Sequence, residues 1–86
     1  MISVNTTEDI YPAIDELTDI LAQKGEQKIS NVLHHRMYKV SWTSRSELFE
    51  ELHNVLSDYL LKEINRLDRT IADQFEDILK TIAKSL

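Results

Sequence analysis

The sequence predicts an all-α fold: a small up-down bundle of three to four helices, in a single domain covering residues 1–86. Three observations predict it. From Glu26 to Leu86 run sixty-one residues without a glycine or a proline, and Gly25 and Pro12 are the only ones in the chain. Sheets and irregular loops depend on residues that accept positive φ or tight turns, and helices do not. Apolar residues also recur at steps of three and four, the spacing of a helix face. Finally, 42% apolar and 29% charged residues are the proportions of a packed domain rather than a disordered chain. At this length there is room for one modest core.

The first helix is expected over 9–24. Asp9 as N-cap would accept from first-turn N–H groups and suit the positive helix end. That start places Pro12 at the third helical position, where no intrahelical bond is lost; a start at Thr6 or Thr7 is the alternative, which pushes Pro12 deeper and costs one hydrogen bond. Ile10, Ile14, Leu17 and Leu21 fall on one face, widened by Ala13 and Ile20. Glu8, Asp15, Glu16 and Asp19 make the other side acidic. Gly25 follows the last apolar turn and fits the left-handed C-terminal cap.

The second helix is expected over 26–38, with Ile29, Val32, Leu33 and Arg36/Met37 at helical spacing. Tyr38, Val40 and Trp42 then alternate as in a strand. One strand has nothing here to pair with, so 38–43 reads as a connection.

Ser44-Arg45-Ser46-Glu47 is a capping box that opens the third helix, expected over 44–64. From Phe49 through Leu52, Leu56, Leu60, Ile64, Leu67, Ile71, Phe75, Ile78 and Ile82 to Leu86, one apolar series continues without a slip in phase. Its period near 3.7 is not a strict heptad. Unbroken, it would make a single rod of about 60 Å at ~1.5 Å per residue. The preferred reading breaks it at Asn65–Asp68: Asn65 can take the left-handed cap conformation, and Asp68 can cap a fourth helix over 68–85. One continuous helix is the alternative. The stripe from Leu67 to Leu86 looks longer than two short helices can cover, which predicts a homodimer.

Function is far less legible. No cysteine is present, which excludes a disulfide, a thiolate metal site and a thiol nucleophile. Met1-Ile2-Ser3-Val4-Asn5 does not read as a secretory leader, and no apolar run approaches the ~20 residues needed to span a bilayer. The expected location is cytoplasmic. The net charge of −5 disfavours nucleic acid and anionic membranes as partners. The charge is unevenly spread: net −5 over 1–27, +4 over 28–46 and −4 over 47–86. Within the basic island, Arg36, Tyr38, Lys39, Trp42 and Arg45 combine cations with aromatics. These residue types are enriched at binding hot spots, and this set is the candidate partner-binding surface. The competing reading has Trp42 closing the bundle end and the cations neutralising the acidic first helix.

Other constellations are weaker. Glu50-x-x-His53 has the spacing of half a carboxylate-bridged di-metal site, but a helical wheel puts Glu50 opposite the Phe49/Leu52/Leu56 stripe. His34 and His35 are adjacent and point about 100° apart. Neither a nucleophile elbow nor a glycine-rich phosphate loop is present. A helix–turn–helix use of the third helix would set Glu47, Glu50 and Glu51 against phosphates. No catalytic, metal or cofactor residue is assigned. The expected role is a non-enzymatic protein–protein interaction or regulatory module: an adaptor, an inhibitor, or an antitoxin- or immunity-like subunit. A metal-binding helical bundle or a nucleic-acid-associated regulator is the alternative. No motif here carries a specific family resemblance.

Overall fold

The structure, a computed structural model, describes residues 4–86, which form α1 (Thr7–Gln23), α2 (Gln27–Tyr38), α3 (Arg45–Glu63) and α4 (Arg69–Ser85). Met1, Ile2 and Ser3, part of the stretch read for a leader, lie outside the described residues. No strand occurs among the described residues, and no helix is long and apolar enough to cross a membrane.

The helices run alternately up and down, each packed on its two neighbours in a closed ring. Pairs at both ends fix the directions. Thr7 Oγ1 and Ser85 Oγ lie 2.8 Å apart, joining the start of α1 to the end of α4. At the opposite end, Lys24 Nζ reaches Asp68 at 2.9 Å. Likewise Arg36 near the end of α2 pairs with Glu51 near the start of α3.

The α1 start differs from expectation. Thr6 is the N-cap, and Asp9 occupies the third helical position as the acidic member of a capping box. The Asp9 carboxylate accepts from the Asn5 and Thr6 backbone N–H groups, each at 3.0 Å. These bonds, Asn5's first, hold its carboxyl below the ordinary aspartate range. Pro12 therefore sits inside the helix, where one backbone hydrogen bond is missing for want of a donor. The two bonds to Asp9 offset that loss at the helix end.

The α1 end is as expected. Gly25 has φ +84°. Its N–H donates to Ala22, and the Glu26 N–H to Leu21 at 2.8 Å, which is the Schellman arrangement.

α3 begins at the Ser44 cap, whose Oγ accepts from the Glu47 N–H at 3.3 Å. The chain breaks after Glu63, as preferred over a single rod. Its Cα radius of gyration is 11.9 Å and its longest dimension 34 Å. About 12 Å is the radius of a compact chain of this length, and a 60 Å rod does not fit. The local mechanism of the break is not the expected one. Among the described residues only Gly25 has positive φ, so Asn65 takes no left-handed cap. Asp68 is the N-cap of α4 by position, yet its carboxylate binds Lys24 rather than a first-turn N–H.

The core is one cluster. Ile10, Ile14, Leu17 and Leu21 meet Leu33, Phe49, Leu52, Leu56, Phe75, Ile78 and Ile82, all nearly fully buried. Phe75 stacks on Tyr59 of α3 with ring centroids 5.6 Å apart. The few buried polar side chains are satisfied: Ser30 donates to the Thr18 carbonyl, tying α2 to α1, and Thr81 to the Asp77 carbonyl. No buried side-chain polar atom lacks a partner among the described residues.

The α4 stripe is covered within one chain, because α1 and α4 are equally long at 17 residues. Ile71, Phe75, Ile78 and Ile82 are all buried. The ground on which the sequence predicted a homodimer is therefore removed. The residues of the series that stay exposed are Ile64, at the break, and Leu86, at the end of the chain.

Candidate functional site

The structure disperses the basic island. Lys28 lies on the first turn of α2, about 16 Å along the helix from Lys39 at ~1.5 Å per residue. The remaining members gather at the far end of α2, where most of them are engaged. Arg36 Nε faces a Glu51 carboxylate oxygen at 3.4 Å, and its Nη1 lies 3.0 Å from His35 Nδ1. Arg45 lies over the Phe49 ring, 5.9 Å from its centroid. Tyr38 donates to the Asp15 carboxylate of α1 at 2.6 Å, with the His34 ring against its own. That bond is the main reason its phenol is held above the ordinary tyrosine range, with partial burial and the Asp15 charge adding to it.

Trp42 is half-buried against the core, and its indole N–H donates to the Arg36 carbonyl at 2.7 Å. That carbonyl belongs to the last turn of α2, where carbonyls have no intrahelical partner. Trp42 thus closes the bundle and caps α2 from the following loop. Lys39 is exposed. Of the five predicted surface residues, Arg36, Tyr38, Trp42 and Arg45 each contact their own chain, while Tyr38, Lys39 and Arg45 stay exposed.

An open surface lies lower on the same pair of helices. A groove of about 830 Å³ runs along the α2–α3 seam. Ile29 and Val32 line it from α2, Val55 and Tyr59 from α3. The short valine side chains on both sides leave it unfilled. Leu61 stands at its edge, 79% exposed, and Ile64, one turn on, is 44% exposed. The Arg36–Glu51 pair clasps the seam above. Below, Arg66 holds Glu26 through both guanidinium Nη atoms, and its Nε donates to Glu63 at 2.7 Å. Tyr59 Oη also donates to Glu26 at 3.1 Å.

This lower clasp sets the local protonation. The hydrogen bond from Arg66 pulls the Glu26 carboxyl below the usual range, helped by Tyr59 and opposed by burial. Burial, then the bond to Glu26, pushes the Tyr59 phenol up. The two carboxylates push the Arg66 guanidinium up as well. Along the rim, Asp58 and Lys62 form an i,i+4 pair at 3.1 Å.

The sequence reading missed this groove. Its signal was Leu61, an apolar residue adjacent to Leu60 and off the main stripe. A lone exposed leucine is common, however, and nothing in one dimension shows that it borders a trough. The Glu50/His53 spacing lies on the outside of α3, with Glu50 exposed. His34 and His35 are exposed too. No group of three or more metal-ligating side chains converges among the described residues.

In comparisons with protein-family models, curated proteins and solved structures, the chain matches none significantly.

Proposed function

We propose that the chain is a non-enzymatic protein-binding module, an adaptor or inhibitor-type subunit, and that it binds through the α2–α3 face. The observation that carries this reading is the open groove floored by Ile29, Val32 and Val55 with Leu61 standing free beside it. An exposed apolar trough rimmed by charge is the form taken by surfaces that receive a helix or a complementary ridge. The charged groups around it support a rim rather than a reacting centre. Glu26 and Glu63 share the Arg66 guanidinium, and Asp58 pairs with Lys62. The contact surface is thereby moved from the basic corner to the middle of the seam. The absence of cysteine is consistent with the cytoplasmic location proposed for this module.

Photo-crosslinking tests this. A photoreactive side chain is placed at Val32 or Leu61, and at Glu76 on the exposed side of α4 as a control. Discrete protein adducts from the two groove positions and none from Glu76 are expected. Adducts from Glu76 alone, or from no position, would rule out the α2–α3 face.

A further inference from the structure

We propose that the α3–α4 connection is a lid over the base of the bundle, latched by two ion pairs, and that its opening joins the α2–α3 groove to a second cavity beneath it. Both halves of the latch are short segments of the same composition. Lys24-Gly25-Glu26 forms the α1–α2 turn, and Arg66-Leu67-Asp68 ends the α3–α4 connection. Each is a cation, an uncharged residue and an anion. In the fold they meet in antiparallel register: Lys24 pairs with Asp68, and Glu26 with Arg66. The two pairs have opposite polarity. Parallel apposition, or a slip of two residues, would set like charges together, so one closed position is selected.

The α3–α4 connection is the half that moves. The α1–α2 turn is fixed by the Schellman bonds and by Gly25 at φ +84°. In the α3–α4 connection, the Arg66 and Leu67 N–H groups both donate to the Glu63 carbonyl, at 2.9 and 3.0 Å, which ties it to α3 alone. Among the described residues no backbone hydrogen bond joins the two connections. Leu67 packs against the core, whereas Ile64, Asn65, Arg66 and Asp68 are exposed. The Lys24, Arg66 and Asp68 side chains are each more than half exposed. Exposed ion pairs are individually weak and are screened by salt. Arg66 also keeps Glu63 as a second partner at 2.7 Å, so leaving Glu26 does not strand its charge.

Beneath the lid lies a cavity of about 220 Å³, ringed by the four latch residues and floored by Leu21, Leu67 and Ile71. Leu21 and Ile71 are 0% and 4% exposed, so the closed lid keeps them from water. Glu26 and Arg66 line this cavity and the groove alike. Their ion pair is the partition between the two. Parting it leaves one apolar trough from Val32 to Ile71. The lid is a property of the chain alone, whatever fills the groove.

Thiol accessibility tests the lid, since the chain has no cysteine of its own. Ile71→Cys places a reporter beneath the lid, Leu67→Cys one on its underside, and Leu56→Cys one in the core away from it. Methyl methanethiosulfonate is an uncharged reagent, so salt acts on the protein. Between about 0.1 M and about 1 M sodium chloride the screening length falls from about 10 to about 3 Å. Over that range modification of Ile71→Cys and Leu67→Cys should speed up by about threefold to tenfold, the effect of releasing two exposed pairs, while Leu56→Cys keeps its rate. With Glu26→Gln and Asp68→Asn added, both lid reporters should react fast at low salt and lose their salt dependence. Lid reporters indifferent to salt overturn the inference. So does salt dependence that survives the double replacement, or a Leu56→Cys rate that rises in step, which would mean that the whole bundle loosens.

Discussion

Replacing Trp42 with alanine separates a structural from a binding role for the basic corner. Complete loss of a large buried aromatic side chain costs about 3–5 kcal/mol. Trp42 is partly buried, so less than the full cost, roughly 2 kcal/mol, is at stake in packing. Its indole N–H also donates to the Arg36 carbonyl at 2.7 Å. Removing it leaves that carbonyl near solvent, where water can replace part of the bond, so about 0.5–1 kcal/mol is added. The sum is about 2.5–3 kcal/mol. Domains of this size have a total stability of roughly 4–13 kcal/mol, so the loss is large but the chain should still fold. At 4–8 °C per kcal/mol, the melting temperature falls by about 10–24 °C. Trp42→Phe retains most of the ring and loses the donor, for about 1 kcal/mol. The assay is urea denaturation followed by far-UV circular dichroism, because the replacement removes the chain's sole tryptophan. An alanine variant with an unchanged midpoint and weakened partner capture would refute the reasoning. It would return Trp42, with Arg36, to the binding surface that the sequence suggested.

Four further outcomes follow from the same structure. Leu60→Ala should cost about 2–3 kcal/mol and Leu61→Ala less than about 0.5 in urea titrations, since the neighbours are 9% and 79% exposed; equal effects would mean that α3 is rotated from its described setting. Gly25→Ala should cost about 1 kcal/mol by the same titration, from its φ of +84° alone, because an added Cβ meets nothing within 4 Å. On the acid side, Glu26 and Asp9 have folded carboxyl pKa values below their unfolded ones, so their contribution is present above the unfolded values, 4.5 and 3.8, and lost as pH falls through the folded values; the urea midpoint should fall with pH from about 4.5 downward, and less steeply in Glu26→Gln. On the alkaline side, Tyr38 and Tyr59 have folded values above 10.0, so their contribution is present below pH 10 and lost as pH rises through the folded values; ultraviolet titration should show phenolate forming late, and Tyr38→Phe should remove part of the late fraction.

The helical class, the Gly25 cap, the Ser44 start and nearly every core position were written in local pattern. A side chain's face is set by spacing along its own helix, and a cap by residues within one turn. The start of α1 was misjudged for a local reason. Pro12 argued for a late start, but two N–H bonds to Asp9 hold Thr6 as the cap and leave the proline inside.

Three other features needed the assembled bundle. Phase alone does not distinguish one long helix from two, since the apolar series runs unbroken through Leu60, Ile64 and Leu67. The break is fixed by burial: folding back lets α1 and α3 cover Ile71, Phe75, Ile78 and Ile82, at the expense of leaving Ile64 partly in water. The basic island loses Lys28 to the other end of α2. At the far end Arg36 meets Glu51 of α3 and the Tyr38 phenol meets Asp15 of α1, acids that sequence distance hid. The groove appears only when two helices each present valine to the same seam. An unfilled volume belongs to a pair of surfaces, and neither strand of letters contains it.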